Sequence, residues 1–306
     1  MKKNYIKIIQ LLFFLIMVIL LLSWPSLTME YAKKGLSIWY KNMVPSLLPM
    51  MILTGCMIKL NITASFTAFL HPLANKLFHL SKNGTYALLM GFLCGFPMGA
   101  KIVCELYAQN KLSKDEANAL LPVCNNIGPI FLLTYGFKSF LTQKLYLVLV
   151  LFYLVPLVYA FFMLRTSAFT ENTLYATKKI SFPVALDEAI SESAAGILSL
   201  GGYLMFFSIL QLIPTKLCFF NMQVTSLLAC LIEITNGLSY PTILPEYVYL
   251  ALLQFGGLCC IFQTLKYISN TGLNFKNYML HKCKITILTL ILFYAYCVFV
   301  SGVYYV

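Results

Sequence analysis

The run GFLCGFPMGAKIVCELYAQNKLSKDEANALLPVCNNIGPIF occupies residues 91–131. It is apolar enough for a membrane and too interrupted for one plain spanning helix. Gly95, Pro97 and Gly99 cannot share a regular helix, because proline lacks a donor and clashes with the preceding turn, while glycine permits conformations other residues avoid. A new helix is expected near Met98, carrying Lys101 and Glu105 four residues apart on one face. Ser113 and Glu116 stand at capping-box spacing and predict a short helix from about Lys114 to Cys124. It breaks at Asn125-Asn126-Ile127-Gly128, and Pro129 suits the start of another helix. Broken helices at membrane depth are tolerated only inside a protein or beside a water-filled cavity.

The rest of the chain supplies the membrane context. Of 306 residues, 60 % are hydrophobic and 10 % charged, against nearly half apolar and about a quarter charged in soluble domains. That balance excludes a soluble enzyme, a disordered chain and a nucleic-acid-binding domain. The net charge of 22 − 10 = +12 comes from residues at the ends of apolar runs, such as Lys59, Lys144, Lys266 and Lys284. Lysines there face lipid head groups and set orientation. Ten cysteines lie mostly in apolar stretches without metal-ligand spacing, and three scattered histidines offer no metal site. No cofactor, metal or catalytic constellation is expected, and no phosphate-binding loop is present.

Spanning runs of ~20 residues are expected at 6–23, 43–60, 145–164, 195–214, 217–232, 247–265 and 285–305, with interrupted ones near 85–108 and 117–137. The expectation is an all-α polytopic membrane protein of about nine membrane segments. Lys2, Lys3 and Lys7 precede the first run, and Trp24-Pro25 follows it without a small-x-small cleavage site. This favours a retained helix with a cytoplasmic N-terminus over a signal peptide.

A polar stretch at 165–193 divides the chain, so one membrane domain over 1–306 is read as an N-terminal helix (1–30), a first repeat (31–164), a linker (165–182) and a second repeat (183–306). Each repeat opens on an amphipathic segment, Tyr31–Asn42 and Val184–Ala194, unless these are solvated loops. Interruptions recur in the second half at E-I-T-N-G (233–237) and G-G-L-C-C-I-F (256–262). Corresponding interruptions in two halves point to a transporter's binding site.

The candidate substrate-binding residues follow from these breaks: Gly95, Phe96, Pro97, Gly99, Lys101, Asn125, Asn126, Gly128, Pro129, Glu233, Thr235, Asn236, Gly237, Gln254 and Gln263. Each has a plainer alternative. Lys101 and Glu105 could form a local ion pair, Asn125 and Asn126 could cap half-helices, and Glu233 could lie at the aqueous interface. Gln254 and Gln263 could join helices, and Phe96 could be packing.

G-F-P-M-G-A-K (95–101), K-L-S-K-D-E-A (111–117) and L-L-P-V-C-N-N-I-G-P-I-F (120–131) resemble the YlbJ family of sporulation integral membrane proteins. E-I-T-N-G (233–237) and F-G-G-L (255–258), with Gln263, look like its second-half motifs; the likeness covers roughly 30–300. Where that family has a histidine two residues before the final glutamine, this chain has Ile261, a departure that bears on any proton-linked role there. The resemblance implies the nucleoside-recognition (Gate) domain group, hence a transporter-like fold with inverted repeats and re-entrant hairpins. It further implies an endospore former and movement of dipicolinic acid from mother cell to forespore across the outer forespore membrane. Half-helix N-termini near Met98 and Pro129, with Lys101, Asn125 and Asn126, suit the carboxylates of such a dianion. The alternatives are a nucleoside-type transporter of neutral solute and a non-transporting scaffold for spore assembly. A coupling ion and a homo-oligomer are compatible with the sequence, which decides neither.

Overall fold

The computed structural model describes residues 2–134, 145–165, 169, 180–217, 221–238 and 243–299. Most of the expected linker at 165–182, including Glu171, Lys178 and Lys179, lies outside the described residues, as do the last residues of the segments expected at 117–137 and 285–305.

Every regular element described is helical. Seven helical stretches are long and apolar enough to cross a membrane: Tyr5–Ser23, Pro25–Lys59, Lys114–Thr134, Tyr146–Leu164, Phe182–Lys216, Glu246–Ile268 and Phe275–Phe299. The protein is an all-α polytopic membrane protein. The remaining two expected segments are hairpins. The first comprises α6 (Lys82–Cys94) and α7 (Met98–Ala108), which pack against each other across the turn at Gly95–Pro97. The second comprises α12 (Met222–Ile232) and the single turn α13 (Ile234–Gly237) around Glu233. At 1.5 Å per residue none of these helices reaches across ~30 Å of hydrocarbon.

The first helix, α1 (Lys2–Ser23), buries only Met17 and Leu20, which join a cluster with Leu204 and Phe207. The amphipathic opening expected in the first half is α2 (Pro25–Ile38), continued through a π-helical turn at Trp39–Met43 into α3 (Val44–Lys59), after which the short helices α4 (Thr63–Phe66) and α5 (His71–Phe78) lead to α6. In the second half the expected amphipathic segment is the start of α11 (Phe182–Leu210), the head of a spanning helix. α11 packs along both α2 and α3. Trp39 Nε1 donates to the Ile197 carbonyl at 2.7 Å, and Gly201 leaves room for the indole. At the polar end Lys59 lies 3.0 Å from Glu188 and 2.7 Å from Glu192, so this lysine holds the amphipathic segment to α3.

Between α7 and α8 (Lys114–Cys124), Lys111 is buried and donates to the Ile58 carbonyl at 2.6 Å. Burial pulls its ammonium down to about 8. α8 begins where the capping-box spacing predicts, with Glu116 N donating to Ser113 Oγ at 3.2 Å. Glu116 Oε1 also accepts from Ser81 N at 2.9 Å, which ties α8 to the start of α6. α9 (Pro129–Thr134) and α10 (Leu145–Leu164) finish the first half. The second half ends with α14 (Glu246–Phe255), α15 (Gly257–Ile268) and α16 (Phe275–Phe299). Breaks therefore fall at 95–97, 125–128, 233 and 256.

Candidate functional site

Pairs of breaks meet because glycine lets the backbones touch. Gly95 (φ +79°) lies on the Gly128 backbone, and Gly99 lies on the Cys124 carbonyl. In the second half a Cβ on Gly257 (φ +76°) would stand 3.0 Å from the Cys230 carbonyl oxygen and 3.4 Å from Ile234 N. The hairpin tip of each half thus crosses the broken span of the same half. Phe96 joins the two crossings: its ring edge rests where a Cβ on Gly256 (φ +87°) would have to go.

A cavity of about 50 Å³ lies between them. Phe96, Pro97 and Gly128 form its wall from the first half, and Glu233, Thr235, Gly256 and Gln263 form that from the second. A single water needs roughly 10–15 Å³, so the cavity has room for a few waters. The aliphatic side chains of Leu200, Leu204 and Leu253 complete it.

Behind Phe96 lies a polar knot at the first-half break. Asn125 Nδ2 donates to Thr264 Oγ1 at 2.7 Å and to Tyr278 OH at 3.0 Å. Asn126 Oδ1 accepts from Gln254 Nε2 at 2.8 Å and from Lys282 Nζ at 3.1 Å. Lys282 Nζ also donates to the Asn125 carbonyl at 2.7 Å and stands 4.5 Å from the centre of the Phe96 ring. Asn125, Asn126, Gln254 and Lys282 are wholly buried. Among the described residues, Asn125 Oδ1 and Gln254 Oε1 have no hydrogen-bond partner.

The second-half break is satisfied differently. Glu233 caps α13: Oε1 accepts from Thr235 N at 2.9 Å, and Oε2 accepts from Thr235 Oγ1 at 2.6 Å and Asn236 N at 2.7 Å. Its carbonyl accepts from Gln211 Nε2 at 3.1 Å. Asn236 Nδ2 donates to Ser208 Oγ at 2.6 Å, and Gly237 packs on Cys230.

The chain has a curated relative. It is similar to the sporulation integral membrane protein YlbJ of Bacillus subtilis, with 29 % identity over 222 residues. The match covers 64 % of this chain, which spans about half (54 %) of that protein's length. No family model matches the chain, and no solved structure matches it.

The predicted site residues divide into three groups. Phe96, Pro97, Gly128, Glu233, Thr235 and Gln263 face the cavity. Asn125, Asn126 and Gln254 meet in the knot, while Gly95, Gly99, Gly237 and Pro129 shape the breaks and Asn236 braces α13 from behind. Glu233 is buried at a break. Lys101 stands apart: it is no part of the cavity wall and lies 3.1 Å from Glu105, the local ion pair. Gln263 reaches Cys259 on its own helix at 3.2 Å.

The residues that the motifs did not point to are Thr264, Tyr278, Lys282, Ser208 and Gln211. Two of them share a face in the structure: Tyr278, Lys282, Ile285, Thr289, Phe293 and Cys297 are the buried residues of α16 and recur at helical spacing, which places the lysine on the inward stripe.

Proposed function

We propose that this chain is a membrane transporter of a small anionic solute, with dipicolinic acid as the candidate, acting by alternating access in sporulation. The solute would move toward the forespore across the mother-cell-derived outer forespore membrane. The sporulation context comes from the name of the Bacillus relative. One observation carries the transport reading: the knot behind the cavity keeps two fully buried amide oxygens, on Asn125 and Gln254, without partners among the described residues. Each such oxygen costs about 1–3 kcal/mol. A purely structural break would lose nothing by satisfying them, whereas a site that rearranges must leave some groups unspent in one of its states.

The order of elements supports two repeats. Span, hairpin, broken span and span follow one another as α2–α3, α6–α7, α8–α9 and α10, and again as α11, α12–α13, α14–α15 and α16. An odd number of crossings per half would set the second upside down relative to the first. The N-terminal ends of α7 and α15, at Pro97 and Gly256, border the cavity and bring positive dipole ends to it. A cavity of about 50 Å³ is too small for an aromatic dicarboxylate, which requires its two walls to part.

Proteoliposomes containing the full chain test this, with labelled dipicolinate as solute and uridine as competitor. Saturable uptake is expected, unaffected by uridine. Asn125→Ala removes the tie to Thr264 and Tyr278 and should lower uptake about tenfold or more, the equivalent of one ~1.4 kcal/mol interaction. Competition by uridine would favour a neutral nucleoside-type substrate. Absence of uptake by folded, inserted protein would favour the scaffold.

Lys101→Ala separates the cavity from the ion pair. Because Lys101 pairs with Glu105 away from the cavity wall, the variant should keep wild-type uptake per folded molecule. It should lose about 3 kcal/mol or more of stability, read as a clear fall in melting temperature, because Lys101 is buried and its removal takes the ion-pair partner from a mostly buried Glu105. A large loss of uptake with the melt unchanged would return Lys101 to the site.

A further inference from the structure

We infer that Lys282 is a tethered cation, filling from within the chain the position that a mobile coupling cation would take at the first-half helix break. The inference rests on the transport reading for its meaning, and on geometry for its chemistry. Lys282 is 0 % exposed, on a membrane-spanning helix. Among the described residues no carboxylate is paired with it, the ion pairs of Lys59 and Lys101 lying elsewhere. A buried charge in a membrane needs a partner.

The partners here are oxygens and a ring face. Lys282 Nζ has the Asn125 carbonyl at 2.7 Å, Asn126 Oδ1 at 3.1 Å and the Phe96 ring centre at 4.5 Å. Asn125 is the C-cap of α8, so the ammonium also sits at the negative end of that helix dipole. A carbonyl freed by an unwound helix, an amide oxygen and a half-helix C-terminus are the ligands that transporters offer to sodium. The aromatic face adds the attraction of its quadrupole for a cation. The unpartnered Asn125 Oδ1 and Gln254 Oε1 enlarge the surplus of acceptors at the same break. That set repels an anion and accepts a cation, and the lysine already supplies one. Transport should therefore proceed without sodium binding at this break, and the anionic solute belongs on the other side of Phe96, in the cavity.

Melting of the purified full chain in detergent, at constant ionic strength with choline as the reference cation, provides the test. The wild type should melt at the same temperature in sodium, potassium and choline. Lys282→Ala should melt several degrees lower in choline and regain at least half of the loss, saturably, in sodium or ethylammonium. Lys282→Met, which refills the space without charge, should stay low in every cation. A wild type stabilised saturably by sodium overturns the assignment, and so does a Lys282→Ala protein that no small cation rescues or folds. The readout is independent of flux. Rescue without any solute uptake would sink the transport reading and leave the tethered cation, while sodium-driven uptake by the wild type without rescue would do the reverse.

Discussion

Gly99→Ala should yield little folded protein. A Cβ at this position would fall on the Cys124 carbonyl, 2.5 Å from its carbon and 3.1 Å from the Asn125 Cα. All of these are backbone atoms, so no rotamer change relieves the overlap. The two helices must separate, and the atoms that move first are those of Asn125, whose amide holds Thr264 and Tyr278 and whose carbonyl holds Lys282. Overpacking costs about 1–3 kcal/mol where side chains can yield. An immovable backbone on both sides places this variant at about 3 kcal/mol or more, a large part of a typical 5–15 kcal/mol total. Gly202→Ala is the matched control. Its Cβ meets nothing within 4 Å, and it should gain up to about 1 kcal/mol from helix propensity. Size-exclusion profiles and melting temperatures of the two variants, made side by side, decide the point. A Gly99→Ala protein that is monodisperse and melts with the wild type would show that the crossing of α7 over α8 is looser than this geometry.

The first half of the molecule was readable because its signals are local. Ser113 and Glu116 mark the start of α8, Pro97 marks the entry to α7 and Pro129 that to α9, each within a few residues of the structure it specifies. Composition settles the membrane class, since a chain this apolar cannot be covered by its own polar surface. The knot was only half visible. Asn125 and Asn126 announce polar need at a break, but their partners Thr264, Tyr278 and Lys282 lie 139 to 157 residues away. No spacing rule connects them. Lys282 stands in H-K-C-K at 281–284, where a head-group lysine reads the same as a buried one until the inward stripe of α16 is traced. Lys101 misleads for the opposite reason. It opens a half-helix beside the breaks, yet its partner is one turn away on its own helix, and i,i+4 pairing is the shorter-range claim on a side chain.

Glu233→Ala should cost nearly as much as the glycine variant, by a different route. The carboxylate accepts from Thr235 N and Asn236 N, and it also takes the Thr235 hydroxyl. These groups are buried. Alanine removes the side-chain acceptor of two buried backbone donors in a wall that is mostly apolar, at about 1–3 kcal/mol each. The expected loss is about 3–5 kcal/mol, within the range reserved for disrupted buried networks. It should spread to α11, since α13 is held there through Asn236 and Ser208, and the Glu233 carbonyl through Gln211. Glu233→Gln separates cap from charge. One amide oxygen remains to accept, so the fold should survive with a smaller loss of about 1–2 kcal/mol. The cavity wall then loses the carboxylate that the structure places in it. If the carboxylate serves only as a cap, uptake by Glu233→Gln follows the fraction of folded protein. If it also repels the wrong charge, the glutamine variant takes up anions faster per folded molecule, because a negative wall opposes their entry. Parallel melting and initial-rate uptake on the three proteins distinguish these outcomes. A Glu233→Ala protein that melts with the wild type would remove Glu233 as the cap of α13, and with it the reason for a carboxylate at this break.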